Sequence, residues 1–451
     1  MPPPSPPLPQ LVRALLLLLP SAAAGGGVAS GAPWRQDRFV VSLWVDPVVP
    51  EANFSFEYAR AARAGFTTLL GGFGATTPAA VRAQVAACAA AVLACIPSAC
   101  ETAAGPGPSG SCVGAAAPGD AVMGFQMFDE PQPSDFPGLA NWSASIAERA
   151  PGALRFINLL PNYGIPGGPS AYADYVSEFV SVVKPDLLCF DHYPQWSQPP
   201  EADISPQGYL RNLGAIRAAA SDAGISFWNF MNIMPYGGRS DVPEAQVRWQ
   251  VFSSLAFGAK GLLYFCYWNP ASDAGGTFQW AGAIMTPVLP AGASGGEGAA
   301  VYVEGPQFAV AQRVNAKLGA FGRFLLNATS LATFAANGTG ASSAAVPGGG
   351  PIASVGGSGA GPAWSVLLGL FAAAPGAGSA VLLHNQDVAA PAIVTLALAQ
   401  PPAAAAACEL DAASGARVQL FDDAPAMPGL QLRLAEGDAR LLVFAPAGGR
   451  C

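Results

Sequence analysis

The sequence predicts an α/β fold, a (β/α)8 TIM barrel followed by a smaller C-terminal antiparallel β-sandwich domain. Three observations point there. Apolar, β-rich runs recur between residues 39 and 268 at a near-regular spacing. Amphipathic segments lie between them. From Gly305 onward the pattern changes to short apolar runs separated by Gly, Ala and Pro.

The runs are Phe39–Val45, Phe66–Phe73, Val122–Phe128, Leu154–Leu160, Asp186–Phe190, Ile225–Met231 and Gly261–Trp268. Their hydrophobicity is continuous rather than alternating, as in strands buried on both faces of a parallel sheet. Helical segments fall between them at Phe56–Ala64, Pro78–Ala90, Asp135–Arg149, Ser170–Val183, Pro206–Ala223 and Pro243–Phe257. The gap between the second and third runs is too long for one unit, and Ala91–Ile96 supplies the missing strand. That makes eight β/α units, a barrel count. An open doubly wound sheet is the rival, but no G-x-G-x-x-G follows the first strand.

Two inserts, Ser98–Gly119 and Ala271–Glu304, follow strands and are expected to overhang the strand C-terminal face. Past Gly305 a helix over Gln307–Leu325 leads into five apolar runs: Ala380–Leu383, Ile393–Leu398, Gln419–Phe421, Leu430–Leu434 and Arg440–Phe444. These read as the strands of the sandwich. Gly340–Pro362 is low-complexity and reads as a loop. The expected organisation is a signal peptide over residues 1–24, the barrel over 34–304, and a linker helix with the β-sandwich over 305–451.

Composition narrows the function classes. The chain has 451 residues, 11% of them charged, and a net charge of −8. No basic block appears, which argues against nucleic acid as a partner. Hydrophobic residues at 51% exclude wholesale disorder. Arg13, the apolar run Ala14–Leu19 and the small residues Ser21–Gly25 form a secretory leader, too short to span a bilayer. No other stretch reads as a membrane span. Sequons at Asn53, Asn141, Asn327 and Asn337 agree with a secreted, extracellular protein.

Cys88, Cys95, Cys100 and Cys112 form one group, with two local disulfides expected, and Cys408 is expected to pair with Cys451. Cys189 and Cys266, inside strand-like runs, read as buried free thiols. No paired C-x2-C knuckles occur and the only histidines, His192 and His384, are distant, so no metal or other cofactor is expected. His384 reads as a surface or turn residue.

In a barrel, chemistry sits at the C-terminal ends of the strands. Those ends hold Trp44 and Asp46, Asp129 and Glu130, Asn158 and Asn162, Asp191 with His192 and Tyr193, Asn229 and Asn232, and Tyr267 and Trp268. The set is rich in acids, amides and aromatics. Carboxylates suit acid/base work, flat rings suit the apolar faces of pyranoses, and amides suit hydroxyls. Glu130 follows a very apolar strand and precedes Pro131; near Phe128 its carboxyl would be kept protonated, as a general acid requires. Asp191 ends the sixth strand and could bind substrate, orient Glu130 or supply the second carboxylate.

The string GFQMFDEP resembles the Asn-Glu-Pro or Asp-Glu-Pro fourth-strand ending of clan A glycoside hydrolases. With FINLLPNYG, FDHYP, FWNFMNIMP and RWQVFSSLAFGAKGLLYFCYW it is similar to barrel proteins related to family 42 β-galactosidases. The resemblance covers residues 38–285 well and 305–446 more loosely. It implies a glycosidase with a carbohydrate substrate and Glu130 as acid/base. One departure stands out: the clan's nucleophilic Glu at the end of the seventh strand is absent, and Asn229, Asn232 and Met234 lie there instead. Asp191 or Asp46 could then be the second carboxylate, or the protein could bind sugar on a degenerate barrel without cleaving it.

Overall fold

The computed structural model describes residues 34–102, 104–106, 110–116, 121–194, 196, 203–235, 242–268, 283–288, 301–348, 350–357, 363–374, 378–399, 406–422 and 429–445. The leader, Cys451 and most of the second insert lie outside them.

Eight parallel strands form the first sheet: β1 Val40–Trp44, β2 Thr68–Leu70, β3 Ala94–Ile96, β4 Gly124–Asp129, β5 Leu154–Leu159, β6 Leu187–Asp191, β7 Ser226–Asn232 and β8 Gly261–Phe265. Their order is β3-β2-β1-β8-β7-β6-β5-β4. Parallel bridges Cys95–Val122 and Ser98–Gln126 join the two ends, so the sheet curls into a barrel. The short run Ala91–Ile96 does supply the third strand.

Side chains alternate between barrel interior and helix layer, because successive Cβ atoms in a strand point to opposite faces. The interior cluster takes Val40 of β1, Leu154 and Phe156 of β5, Leu187 and Cys189 of β6, Trp228 and Phe230 of β7, and Leu263 and Phe265 of β8. The intervening residues Val41, Leu43, Ile157, Leu188, Phe190, Met231 and Tyr264 pack outward among the helices.

Those helices are α1 Phe54–Arg63, α2 Pro78–Ala90, α3 Phe136–Arg149, α4 Gly168–Val183, α5 Pro206–Ala223 and α6 Glu244–Phe257. Thr77 and Ser205 cap α2 and α5 by accepting from Ala80 N and Gly208 N, each with a proline in the first turn. Among the described residues no helix follows β3, a departure from eight full β/α units. The first insert stands there instead, with a Glu101–Thr102/Gly105–Pro106 hairpin and the Cys100–Cys112 disulfide. Its described part leans on α3, where Trp142 Nε1 donates to Glu101 Oε1 at 2.9 Å.

Only one of the two expected local disulfides forms, since Cys88 and Cys95 are buried free thiols. Helix α2 and strand β3 carry these two sulfurs into the same core cluster that takes in Cys112. Cys189 and Cys266 are buried free thiols, as read. Cys408 is disulfide-bonded.

Helix α7, Pro306–Leu325, leads into the second part. Here strands β9 Thr329–Gly338, β12 Trp364–Ala372, β13 Ser379–Asn385, β18 Ala439–Ala445, β15 Ala406–Leu410 and β16 Arg417–Asp422 form one antiparallel sheet in that order. Strands β10 Ser343–Ala345, β11 Ile352–Gly357, β14 Ala392–Leu398 and β17 Leu430–Leu434 form another. Strands β10 and β11 pair inside the tract expected to be a loop. Small side chains hide the strand signal there, yet Ile352 and Val355 are buried in the cluster shared by the two sheets. His384 is fully buried on β13, against α6, rather than at the surface. No helix among the described residues is long and apolar enough to cross a membrane.

Candidate active site

A cavity of about 160 Å³ opens at the C-terminal ends of the barrel strands. Its lining includes Trp44, Gln126, Phe128, Asp129, Glu130, Phe156, Asn158, Asp191, Tyr193, Phe230 and Phe265.

The acids come from β4 and β6. Strand β4 carries an irregularity between Gln126 and Phe128 in its pairing with β5. The extra residue lets Gln126, Phe128 and Asp129 all reach the cavity, as bulges beside active sites do. Glu130 then takes φ +51°, a left-handed backbone that non-glycine residues adopt at a cost. Its N–H is anchored on the Asn158 carbonyl at 2.8 Å. Strain of this kind persists where surroundings hold it, commonly at functional positions.

Asn158 sits between the carboxyls. Its Nδ2 donates to Asp129 Oδ1 at 3.0 Å and to Asp191 Oδ1 at 3.1 Å. Its buried Oδ1 meets no protein donor. Glu130 and Asp191 are near enough to influence each other's ionisation. Asp191 is buried, while Asp129 and Glu130 remain open to solvent. Burial first, then the Glu130 and Asp129 charges, hold the Asp191 carboxyl well above its ordinary range. Glu130 is raised too, by desolvation and by Asp129, with the Asp191 hydrogen bond opposing. Partial desolvation by the surrounding protein likewise raises Asp129, against the Asn158 hydrogen bond. Their mutual repulsion makes the Glu130–Asp191 pair harder to ionise fully than two isolated carboxyls.

Aromatic rings complete the lining, with Phe128 and Phe156 on the same strands as the acids and Asn158. Trp44 stacks on Phe265 at 5.5 Å, and Phe265 lies 5.2 Å from Tyr193. Because β8 and β1 lie across the barrel from β4 and β5, rings face carboxyls over the opening.

Of the residues singled out from sequence, Trp44, Asp129, Glu130, Asn158, Asp191 and Tyr193 line this cavity. Seven others do not. Asp46 is buried beside it, accepting from Phe73 N, Gly74 N and Gln84 Nε2. His192 follows Asp191 and therefore points the other way, its Nδ1 3.0 Å from Asn212 Oδ1. Asn162 donates its backbone N–H to that same Asn212 Oδ1. Asn229 faces the helices, donating to Tyr209 and Ser254. Asn232 is buried, its Nδ2 3.5 Å from the Met234 carbonyl. Tyr267 packs on Phe66, and Trp268 stacks on Tyr302. Gln126, Phe156, Phe230 and Phe265 line the cavity without having been singled out. Strand parity was the available signal, since Phe230 alternates with Asn229 and Phe265 is the last β8 residue.

Among the described residues no cluster of His, Cys, Asp and Glu is arranged to hold a metal ion.

No family model matches the chain, and no curated protein matches it. Solved structures with related geometry exist. A β-galactosidase from the psychrophilic Marinomonas ef1 is 10% identical with a TM-score of 0.46; the match covers 63% of this chain and 60% of that one. This chain thus spans well under two thirds of that structure. An endo-β-1,4-mannanase from Thermotoga petrophila is 10% identical, with a TM-score of 0.42, over 79% of this chain and 96% of that one. A GH30 endoxylanase from Clostridium papyrosolvens C71 is 10% identical, with a TM-score of 0.43, over 92% and 98%. At these values the chemistry has to be read from the residues of the site itself.

Proposed function

We propose that the protein is a glycoside hydrolase acting on carbohydrate, with the Glu130–Asp191 pair as its acid/base unit. The observation that carries the reading is the cavity's joint lining of acids and aromatic rings. Carboxyls held above their ordinary range share it with aromatic rings, of which Trp44 and Phe265 stand on strands across the barrel from β4 and β5. A sugar ring held against Trp44 and Phe265 would turn its hydroxyls and glycosidic oxygen toward the acids. Asn158 Oδ1 would accept from one hydroxyl, satisfying an acceptor otherwise buried without a partner.

In the reaction, the pair's proton passes through Glu130 to the leaving oxygen as the C–O bond breaks. Water adds to the anomeric carbon and returns a proton to the pair. Glu130 is suited to the transfer because it is the more exposed member, and Asp191 to retaining the proton because it is buried. Asp191 is the favoured second carboxylate; Asp46 does not line the cavity. The exposed asparagines of all four sequons and the leader-like N-terminus support secretion to an extracellular site of action. The cluster shared by the two C-terminal sheets supports reading them as a sandwich domain beginning near residue 305.

The test is hydrolysis of a panel of aryl glycosides by wild type and Glu130→Gln. Loss of a general acid costs about 10²–10⁴-fold in rate. Activity should also fall as pH rises, when the pair loses its last proton. Saturable sugar binding with no turnover by the wild type would sink the hydrolase reading, and turnover untouched by the substitution would remove Glu130 from the mechanism.

A further inference from the structure

Phe73 is 45% exposed, beside a cavity whose other rings are largely buried. It stands edge-on to Trp44, with ring centroids 5.0 Å apart and planes at 80°. It is not among the residues lining the cavity, but through Trp44 it adjoins the row of Tyr193, Phe265 and Trp44.

The chain holds the loop that carries this ring at some cost. Asp46, fully buried, accepts from Phe73 N at 2.8 Å, from Gly74 N at 2.9 Å and from Gln84 Nε2 at 2.9 Å. The glycines flanking Phe73 are required by the space. A Cβ on Gly72, at φ +133°, would come within 2.6 Å of Gln126 Oε1, and one on Gly74 within 2.1 Å of the Pro47 carbonyl. Burying a carboxylate is unfavourable, and here it fixes a loop whose exposed feature is one aromatic ring. The Phe73 and Gly74 bonds are to the backbone, so they fix the position from which the exposed ring projects.

The cavity's size indicates which part of a ligand. At about 160 Å³ it is smaller than the ~300–1,000 Å³ of sites that enclose drug-sized molecules. It suits one terminal ring, and whatever is attached must pass over the rim.

We propose that Phe73 is the platform for the ring on the leaving-group side of the scissile bond, with Asp46 the positioning residue that holds it. The assignment rests on the glycosidase reading and deepens it: the substrate would present a terminal sugar to the cavity and a second flat ring to Phe73.

The experiment compares 4-nitrophenyl glycosides with the corresponding glycosyl fluorides of glucose, galactose, mannose and xylose. Both series share the terminal sugar, but only the first carries a leaving-group ring. Phe73→Ala should raise KM for the nitrophenyl series about 10-fold, the equivalent of one aromatic contact, and change the fluorides less than twofold. Phe73→Trp should restore the nitrophenyl KM. Asp46→Asn should shift KM as Phe73→Ala does, with kcat on fluorides kept. Equal losses on both series, or no change on either, would overturn the platform.

A binding arm separates this failure from failure of the hydrolase reading. Calorimetry on the full chain compares 4-nitrophenyl with methyl glycosides. A wild-type preference for the nitrophenyl ligand that Phe73→Ala abolishes supports the platform even without turnover. Wild type showing no such preference overturns it.

Discussion

At Asp46 a single carboxyl is surrounded by donors and yet resists ionisation. Burial outweighs the hydrogen bonds from Phe73, Gly74 and Gln84 and pushes its pKa from 3.8 up to about 6. Folding therefore favours the protonated form. The associated stability is fully present below about pH 4 and is lost as pH rises through about 6, up to ~3 kcal/mol. Asp46→Asn cannot titrate. The stability of wild type relative to the variant should thus fall between pH 4 and pH 7, with the other carboxyls cancelling in the difference. Urea midpoints across that range measure it, and parallel curves would refute it. Glu130 makes the contrasting case: its unusual backbone angle lies where solvent reaches the carboxyl, so strain there accompanies chemistry rather than clamping.

Among the elements, β4 determines the site. Its first residue, Gly124, leaves no room for a side chain: a Cβ would lie 2.2 Å from the Leu154 carbonyl and 2.4 Å from Leu154 Cβ. The pairing enforced there is the one that later sets Asp129 opposite Asn158. Gly124→Ala should cost roughly 1–3 kcal/mol, as overpacking does, and should lower turnover with it. Gly114, with open space around its Cβ, is the control, and Gly114→Ala should stay within about 0.5 kcal/mol. Denaturant midpoints of the two variants decide the matter, and equal midpoints would show that β4 can shift freely. The strand pattern was legible because buried parallel strands are continuously apolar, and Glu130 and Asp191 were legible because they end such strands. Which side chains enter the cavity was less so. His192, Asn229 and Tyr267 attracted notice by their chemistry, but alternation turns Asn229 and His192 toward the helices. The bulge in β4 breaks that alternation, and nothing in GFQMFD marks it. Strands β10 and β11 escaped notice because Ser, Ala and Gly carry little hydrophobic periodicity.

For the whole molecule, the sparse charge raises the question of what joins barrel and sheets without many ion pairs. Much of the answer lies along α6. Gly369 of β12 sits so close that a Cβ would meet the Ala256 carbonyl at 2.5 Å. Beside it His384 is enclosed by Ser253 Oγ, 3.1 Å from Nε2, and by the Asp438 carbonyl, 3.2 Å from Nδ1, with Trp249 and Phe252 against the ring. Burial, aided by the Lys317 cation and opposed by the Asp438 and Trp249 contacts, lowers its pKa from 6.5 to about 4. The sign is opposite to that of Asp46. The neutral ring is the one folding favours, so this stability is present above pH 6.5 and is lost as pH falls through about 4, up to ~3 kcal/mol. Acidification should therefore loosen the seam between the two parts while relieving Asp46 inside the barrel. His384→Gln should remove the acid sensitivity, seen as a wild-type-minus-variant stability that shrinks from pH 7 to pH 4. With only two histidines in the chain, ring resonances can be followed directly by NMR. A His384 ring that charges near pH 6.5 in the folded protein would show that solvent reaches the seam, and the docking would then owe nothing to a neutral imidazole.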